Sequence, residues 1–145
     1  MLGMSSPVHT AARLCRVDAA AAMAHLSRAE GMGRWCLGLW HTREVSPGLF
    51  SGQSLFDGGT GWVRVTVDAA AGRVHYAVGA TPDRLVPRIE ASVVAGECLG
   101  HAEGSCVIAM IAWRTADMDD ARWQRLMAAH EVELDLIRTQ LETRT

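Results

Sequence analysis

The chain has 145 residues, 49% of them hydrophobic and 21% charged, which is typical of one globular domain rather than a disordered segment. Its formal net charge of -2 argues against a general electrostatic grip on nucleic acid, which needs a basic surface, and it offers no polybasic site for an anionic membrane. All 14 basic residues are Arg, which excludes any mechanism that forms a Schiff base on Lys.

The start of the chain indicates a cytoplasmic protein. Met1–Pro7, expected to be flexible, lacks the basic start and the apolar run of a secretory signal, and no later stretch is apolar enough to span a bilayer. The cysteines are therefore expected to be reduced thiols. No Cys-x-x-Cys pair occurs, and a solvated loop explains the grouping of Cys98, His101 and Cys106 better than a metal site does.

The first third of the chain predicts a strand and a short helical unit. Val8–Val17 mixes β-branched and apolar residues with polar ones, as strands do, and Asp18 is placed to cap the Ala-rich helix Ala19–Leu26. Glu30–Gly33 either ends this helix or joins it to a second short turn that finishes near Trp35.

The middle of the chain predicts an antiparallel meander, because short β-forming segments alternate with turns rich in Gly, Pro and Asp. Hydrophobic residues occupy alternate positions from Val63 to Val67 and from Val74 to Val78, which indicates a sheet with one buried face. Six strands are expected, near Cys36–Glu44, Leu49–Phe56, Trp62–Val67, Arg73–Val78, Val86–Val94 and Ser105–Arg114.

The last segment, Asp117–Thr143, predicts a long amphipathic helix capped by Asp117, with Asp119 and Asp120 in its first turn. Charged residues are expected mostly on other faces, Glu133 among them. One apolar face repeats at spacings of four and three: Trp123, Met127, His130, Leu134, Ile137 and Leu141.

The expected order is strand, helical unit, six strands and long helix, which gives an α+β domain. From Trp123 to Leu141 the helix would span roughly 27 Å at about 1.5 Å per residue, enough to cross a sheet. A twisted sheet cannot press flat along a straight helix, so a gap lined by apolar side chains is expected between them.

Several local features accompany this order. Gly72–Gly79 is followed by Thr81–Asp83, and Ala112–Arg114 leads into the final helix with His130 and Glu131. Over about Val8 to Glu142 the chain resembles the START-like, helix-grip (SRPBCC) superfamily, in particular its bacterial polyketide cyclase/dehydratase group. The resemblance implies a curved antiparallel sheet of about seven strands wrapped around the C-terminal helix, with a ligand cavity between them. Members of the superfamily carry lipids, sterols, quinones, polyketides or plant hormones, and some catalyse cyclisation or dehydration.

His130 and Tyr76 are the candidate catalytic residues, since both are polar groups on predicted inward faces. Each has a structural alternative. His130 can be a core residue satisfied by a neighbour, and Tyr76 can be a core aromatic whose hydroxyl has found a partner.

The candidate cavity wall is made of large side chains, for each of which plain core packing is the alternative. Arg84 and Arg88 could flank the cavity mouth and attract an acidic headgroup, or simply lie at a solvated strand edge. The candidate ligand-binding residues are Trp40, Phe50, Tyr76, Met110, Trp113, Trp123, Met127, His130 and Leu134.

Three functions are therefore compatible with the sequence. The first is the binding of a small hydrophobic ligand that is lipid-, quinone- or polyketide-like. The second is a polyketide cyclase/dehydratase-type enzyme that uses His130 and Tyr76, and the third is a protein-interaction module. No metal or cofactor is predicted, no nucleic-acid partner is expected, and a homodimer is possible.

Overall fold

The computed structural model describes residues 6–143. The expectation of a flexible start covers residues 1–7, of which residues 1–5 lie outside the described residues. Short 3-10 turns occur at Leu37–Leu39 and Gly96–Leu99. The strands and helices in chain order are β1 Val8–Cys15, α1 Ala19–Ser27, α2 Ala29–Trp35, β2 Trp40–Ser46, β3 Leu49–Gln53, β4 Thr60–Asp68, β5 Arg73–Gly79, β6 Val86–Ala95, β7 Cys106–Trp113 and α3 Asp120–Glu142.

The strands form one seven-stranded antiparallel sheet in the order β1-β7-β6-β5-β4-β3-β2. The meander from β2 to β7 is built from consecutive neighbours, and β1 pairs with β7 at one edge, from Val8 opposite Trp113 to Cys15 opposite Cys106. The predicted α+β helix-grip architecture is confirmed: a curved sheet, a short helical unit after the first strand, and a long closing helix.

The sheet buries one face, as the alternation along the chain predicted. Val74 and Tyr76 of β5 are buried, and β7 buries every second residue, including Ile108 and Met110. These side chains share a core cluster with residues of α3, Leu134 among them. The burial of this apolar surface is the main force that holds the helix against the sheet.

The C-terminal half of α3 is also fixed to β1 by charged groups. Arg13 Nε donates to Asp135 Oδ1 at 2.8 Å, and Arg13 Nη2 donates to Glu131 Oε1 at 3.1 Å. The backbone N–H of Arg16 donates to Glu142 Oε2 at 2.9 Å. The first strand and the last helix of the chain are therefore joined directly.

The helical unit after β1 folds back on itself because of a close backbone approach. Asp18 caps α1 as predicted, its Oδ1 accepting from the Ala21 N–H at 2.8 Å. Gly31 in α2 lies so close to α1 that an added Cβ would stand 2.3 Å from the His25 carbonyl oxygen. Glu30–Gly33 therefore belongs to a second short helix rather than to a break.

Several predicted boundaries were wrong, among them those of the second strand, the third strand and the last helix. The second strand begins at Trp40 rather than near Cys36, because a 3-10 turn intervenes, and the third strand ends at Gln53, before Phe56. The cap of α3 is Asp119, whose Oδ1 accepts from the Arg122 N–H at 2.8 Å. Asp117 instead accepts from the Thr115 hydroxyl at 2.5 Å, so the helix starts later than expected.

Candidate functional site

A cavity of about 580 Å³ lies between α3, the end of α2 and the inner face of the sheet. Its deep wall is largely apolar and is formed by Met32 and Trp35 of α2, Val63 of β4, Ile89 of β6 and Met110 of β7. The gap expected between a twisted sheet and a straight helix is therefore present. Arg122 and Arg125, lining residues from the first turns of α3, are exposed, so the cavity opens at the end where α3 begins.

Tyr76 lies at the cavity wall, but its hydroxyl is committed to the core. The hydroxyl donates to the Leu26 carbonyl oxygen at 2.5 Å, and the ring meets the Trp35 ring edge-on with centroids 6.3 Å apart. Burial raises the pKa of Tyr76 well above its ordinary value. This arrangement matches the alternative in which Tyr76 is a core aromatic with a satisfied hydroxyl.

His130 lies beside a second ionisable group that the sequence pattern had placed on another face. Glu133 is one helical turn further along α3, and its Oε1 stands 3.9 Å from His130 Nε2. Both side chains are almost completely buried and both line the cavity. The other carboxyl oxygen, Oε2, accepts from the Leu37 N–H at 2.9 Å, which ties α3 to the 3-10 turn before β2.

Burial pushes the pKa values of these two groups in opposite directions. It raises the pKa of Glu133 to about 8, although the Leu37 N–H acts against this shift. Burial, followed by the charges of His9 and Arg88, lowers the pKa of His130 to about 4. Between these values the carboxyl is protonated and the imidazole is uncharged, so the contact at neutral pH joins two neutral groups and is no ion pair.

Glu133 was missed because a helical wheel places it at the border of the apolar face. It follows Ala129 by four residues and precedes Ile137 by four, and both of these are buried. This spacing of four residues between Ala129, Glu133 and Ile137 was the signal in the sequence that could have identified Glu133 as buried. The burial of Glu133 also depends on the hydrogen bond that it accepts from the Leu37 N–H, 96 positions earlier in the sequence, and this bond is visible only in the folded chain.

The mouth of the cavity is rich in arginine. Arg84 reaches it from the loop between β5 and β6, Arg88 reaches it from β6, and Arg122 and Arg125 reach it from the first turns of α3. The Arg125 guanidinium stacks over the Phe56 ring at 4.9 Å. Arg84 and Arg88 were the candidates that the sequence indicated for the mouth. Arg122 and Arg125 were not among them.

Of the nine candidate ligand-binding residues, Tyr76, Met110 and His130 line the cavity. The others lie elsewhere. Phe50 and Leu134 are in the main core, Trp123 forms a smaller cluster against which Met127 packs, Trp113 is 42% exposed, and Trp40 lies against the His41 ring with centroids 6.1 Å apart. Contact of the first three with a ligand stays a prediction.

The loop residues considered for a metal are spread apart. Cys106 is buried in β7 opposite Cys15, whereas Cys98 is exposed in a 3-10 turn. Within residues 6–143 no three or more His, Cys, Asp or Glu side chains are grouped to hold a metal ion. Across the same range, no helix has both the length and the apolar character needed to cross a membrane.

No protein-family model matches this chain, and no curated protein matches it in sequence. Solved structures do. A START superfamily protein from Mycobacterium smegmatis has a TM-score of 0.69 at 10% identity, and the match covers 95% of this chain and 99% of that one. The Aha1 dimer from Colwellia psychrerythraea has a TM-score of 0.69 at 13% identity, over 94% and 96%.

The di-domain ARO/CYC BexL from the BE-7585A biosynthetic pathway is similar as well, with a TM-score of 0.70 at 15% identity. That match covers 93% of this chain and 46% of BexL, so the chain spans about half of the larger protein. These similarities confirm the START-like, helix-grip fold that the sequence resemblance implied. At such identities they carry the fold alone, and function must be argued from the cavity.

Proposed function

We propose that this START-like domain binds a small, mostly apolar molecule of the lipid, quinone or polyketide type in the cavity between its sheet and α3. The observation that carries the proposal is the cavity of about 580 Å³ with an apolar deep wall. Pockets that hold small organic ligands typically enclose about 300 to 1,000 Å³ and are lined mainly by apolar groups with a few polar ones. A packed core of the same size would not retain such a space.

Ala129 offers the sharpest test, because it borders the cavity on α3 and belongs to neither core cluster. In Ala129→Phe the ring should occupy the cavity and weaken binding of the uncharged fluorophore N-phenylnaphthylamine at least about tenfold, roughly 1.4 kcal/mol. Ala128→Phe is the matched control, since Ala128 is exposed on the same helix. Fluorescence titration measures both, and thermal unfolding checks that both variants fold.

Two results would count against cavity binding. One is a wild-type chain that gives no saturable signal with the probe. The other is equal affinity in Ala129→Phe and Ala128→Phe while both retain the native unfolding transition.

A second candidate function, an enzyme of the cyclase/dehydratase type, is favoured by the neutral pair of Glu133 and His130. A protonated carboxyl can donate a proton at the same pH at which an uncharged imidazole accepts one. In a dehydration, His130 would take a proton from the carbon next to a carbonyl, and Glu133 would give its proton to the departing hydroxyl. The C–H and C–O bonds break, a C=C bond forms and water leaves; proton return from His130 to Glu133 resets the pair.

This candidate assigns the acid role to Glu133 rather than to Tyr76, whose hydroxyl is bonded to Leu26. With a β-hydroxyketone of polyketide type, mass spectrometry should record the loss of one water from the substrate. Glu133→Gln should slow that loss by about a hundredfold or more, the usual range for a general acid. Unchanged turnover in the variant, or none in the wild type, would exclude the reaction for that substrate class.

A further inference from the structure

We infer that the molecule held in the cavity carries an anionic group, and that this group docks against Arg88 at the cavity mouth. The inference rests on the proposed function, because it names the chemical class of the ligand for the same cavity. The ligand is then an apolar body with one acidic end, such as a carboxylate, sulfonate or phosphate.

The first support is the charge of the mouth. In the described part of the chain four guanidinium groups line it, those of Arg84, Arg88, Arg122 and Arg125, and the carboxylates of Asp57 and Asp117 lie beside them. The chain as a whole carries a net charge of -2, so this local positive excess runs against the overall composition. A cleft walled by low-dielectric protein concentrates such a field and attracts anions.

The second support is the state of Arg88. Its Nη1 is shielded from solvent and has no hydrogen-bond partner among residues 6–143. A buried charged donor without a partner destabilises the folded state more than a paired one does, because no hydrogen bond compensates for the loss of its hydration. An anionic group of the ligand would supply the missing acceptor, and guanidinium binds carboxylate or phosphate oxygens in a two-pronged, planar geometry.

The protein's own carboxylates leave this position open. Asp117 acts on Arg88 only from beyond ion-pair distance, and its Oδ1 already accepts from the Thr115 hydroxyl. Burial, and after it the positive charge of Arg122, lowers the pKa of Arg88, as expected of a cation that lacks a close counter-charge. In the described part of the chain the guanidinium of Arg122 likewise has no hydrogen bond or ion pair.

The position of Arg88 also orders the ligand along the cavity. Its charge reaches His130 strongly enough to contribute to the lowered pKa of the imidazole. An anionic end held at Arg88 would therefore place the next part of the molecule beside the Glu133–His130 pair. The remaining apolar part would extend toward Trp35 and Met110 at the deep wall.

Two fluorophores test this inference, anilinonaphthalene sulfonate and N-phenylnaphthylamine, which share one aromatic framework and differ by the sulfonate. Arg88→Gln should weaken binding of the sulfonate roughly tenfold or more, the usual effect of losing a charge-assisted hydrogen bond. It should change binding of the uncharged probe less than about twofold. The control Arg64→Gln, at an exposed position of β4 outside the cavity, should change neither.

The outcomes separate the two proposals. If Arg88→Gln binds the sulfonate as tightly as the wild type, or loses both probes equally, the anionic site is wrong and cavity binding stands. If the wild type binds neither probe, cavity binding fails and the anionic site fails with it. If circular dichroism shows that Arg88→Gln does not fold, the two probes are compared in Arg122→Gln instead, since Arg122 is exposed. The expected result is again weaker binding of the sulfonate with unchanged binding of the uncharged probe.

Discussion

Glu133→Gln is expected to become more stable than the wild type as pH rises, with the difference in free energy of unfolding growing by roughly 3 kcal/mol between pH 4.5 and 7. The carboxyl has a pKa of about 8 in the folded chain and an ordinary value of 4.5 when unfolded. Below pH 4.5 it is protonated in both states and costs nothing. Above that, the unfolded chain releases the proton and the folded chain keeps it, so stability is lost at about 1.4 kcal/mol per pH unit up to pH 8.

His130 acts in the opposite sense. Its pKa of about 4 in the folded chain lies below the ordinary 6.5, so its contribution to stability is complete above pH 6.5 and is lost as pH falls toward 4. Between pH 4.5 and 6.5 the two slopes oppose each other. The wild type should therefore show nearly constant stability over that interval and a decline from pH 6.5 to 8.

Urea unfolding across pH 4 to 8 measures both slopes. Glu133→Gln should lose the decline above pH 6.5 and should gain a rising slope below it, because only His130 then titrates. The control Glu103→Gln changes an exposed loop residue and should follow the wild-type curve. Parallel curves for Glu133→Gln and the wild type would mean that Glu133 is ionised in the folded chain, and the neutral pair would be abandoned.

Leu134→Ala should lower the free energy of unfolding by about 3 to 4 kcal/mol. Leu134 is completely buried in the main core, and removing its side chain both loses burial and leaves a space that the sheet can only partly fill. Val132→Ala is the matched control on the same helix, because Val132 is 50% exposed, and it should cost less than about 0.5 kcal/mol. Denaturant titration of the two variants gives the comparison.

The same pair separates a core role from a ligand-contact role for Leu134. A core residue should change stability while the affinity for N-phenylnaphthylamine stays within about twofold at temperatures where the variant is folded. If Leu134→Ala lowers the free energy of unfolding by less than about 1 kcal/mol and instead strongly weakens binding of the probe, the assignment of Leu134 to the core is wrong.

The sheet and the long helix could be predicted because their periodicities are strong. Alternation around Val74 and Tyr76 depends only on the pleat of a strand, and the face of α3 from Trp123 to Leu141 depends only on helical pitch. Boundaries were less accurate where local hydrogen bonding decided them, as at Asp119, which caps α3 in place of Asp117.

The cavity wall was harder to predict than the fold. Large apolar residues were expected there, but Phe50, Trp123 and Leu134 fill the core, since packing uses the same residue types as ligand contact. Residue type alone cannot separate the two roles. Glu133 shows the converse, because a charged residue near an apolar face becomes informative only once its burial and its bond to Leu37 are known.

The pairing of β1 with β7 also constrains how the chain reaches its folded form. The backbone hydrogen bonds between these strands join residues that are as far apart in sequence as Cys15 and Cys106, or farther. The loop that must close is therefore long, and the entropic cost of closing it is high. The adjacent hairpins from β2 to β7 can form early, because their contacts are local. During synthesis β1 has no strand partner until β7 has emerged, and α3, which packs on β1, comes later still. Completion of the core is therefore a late step that depends on contacts between residues far apart in sequence. Folds that depend on such non-local contacts generally fold slowly.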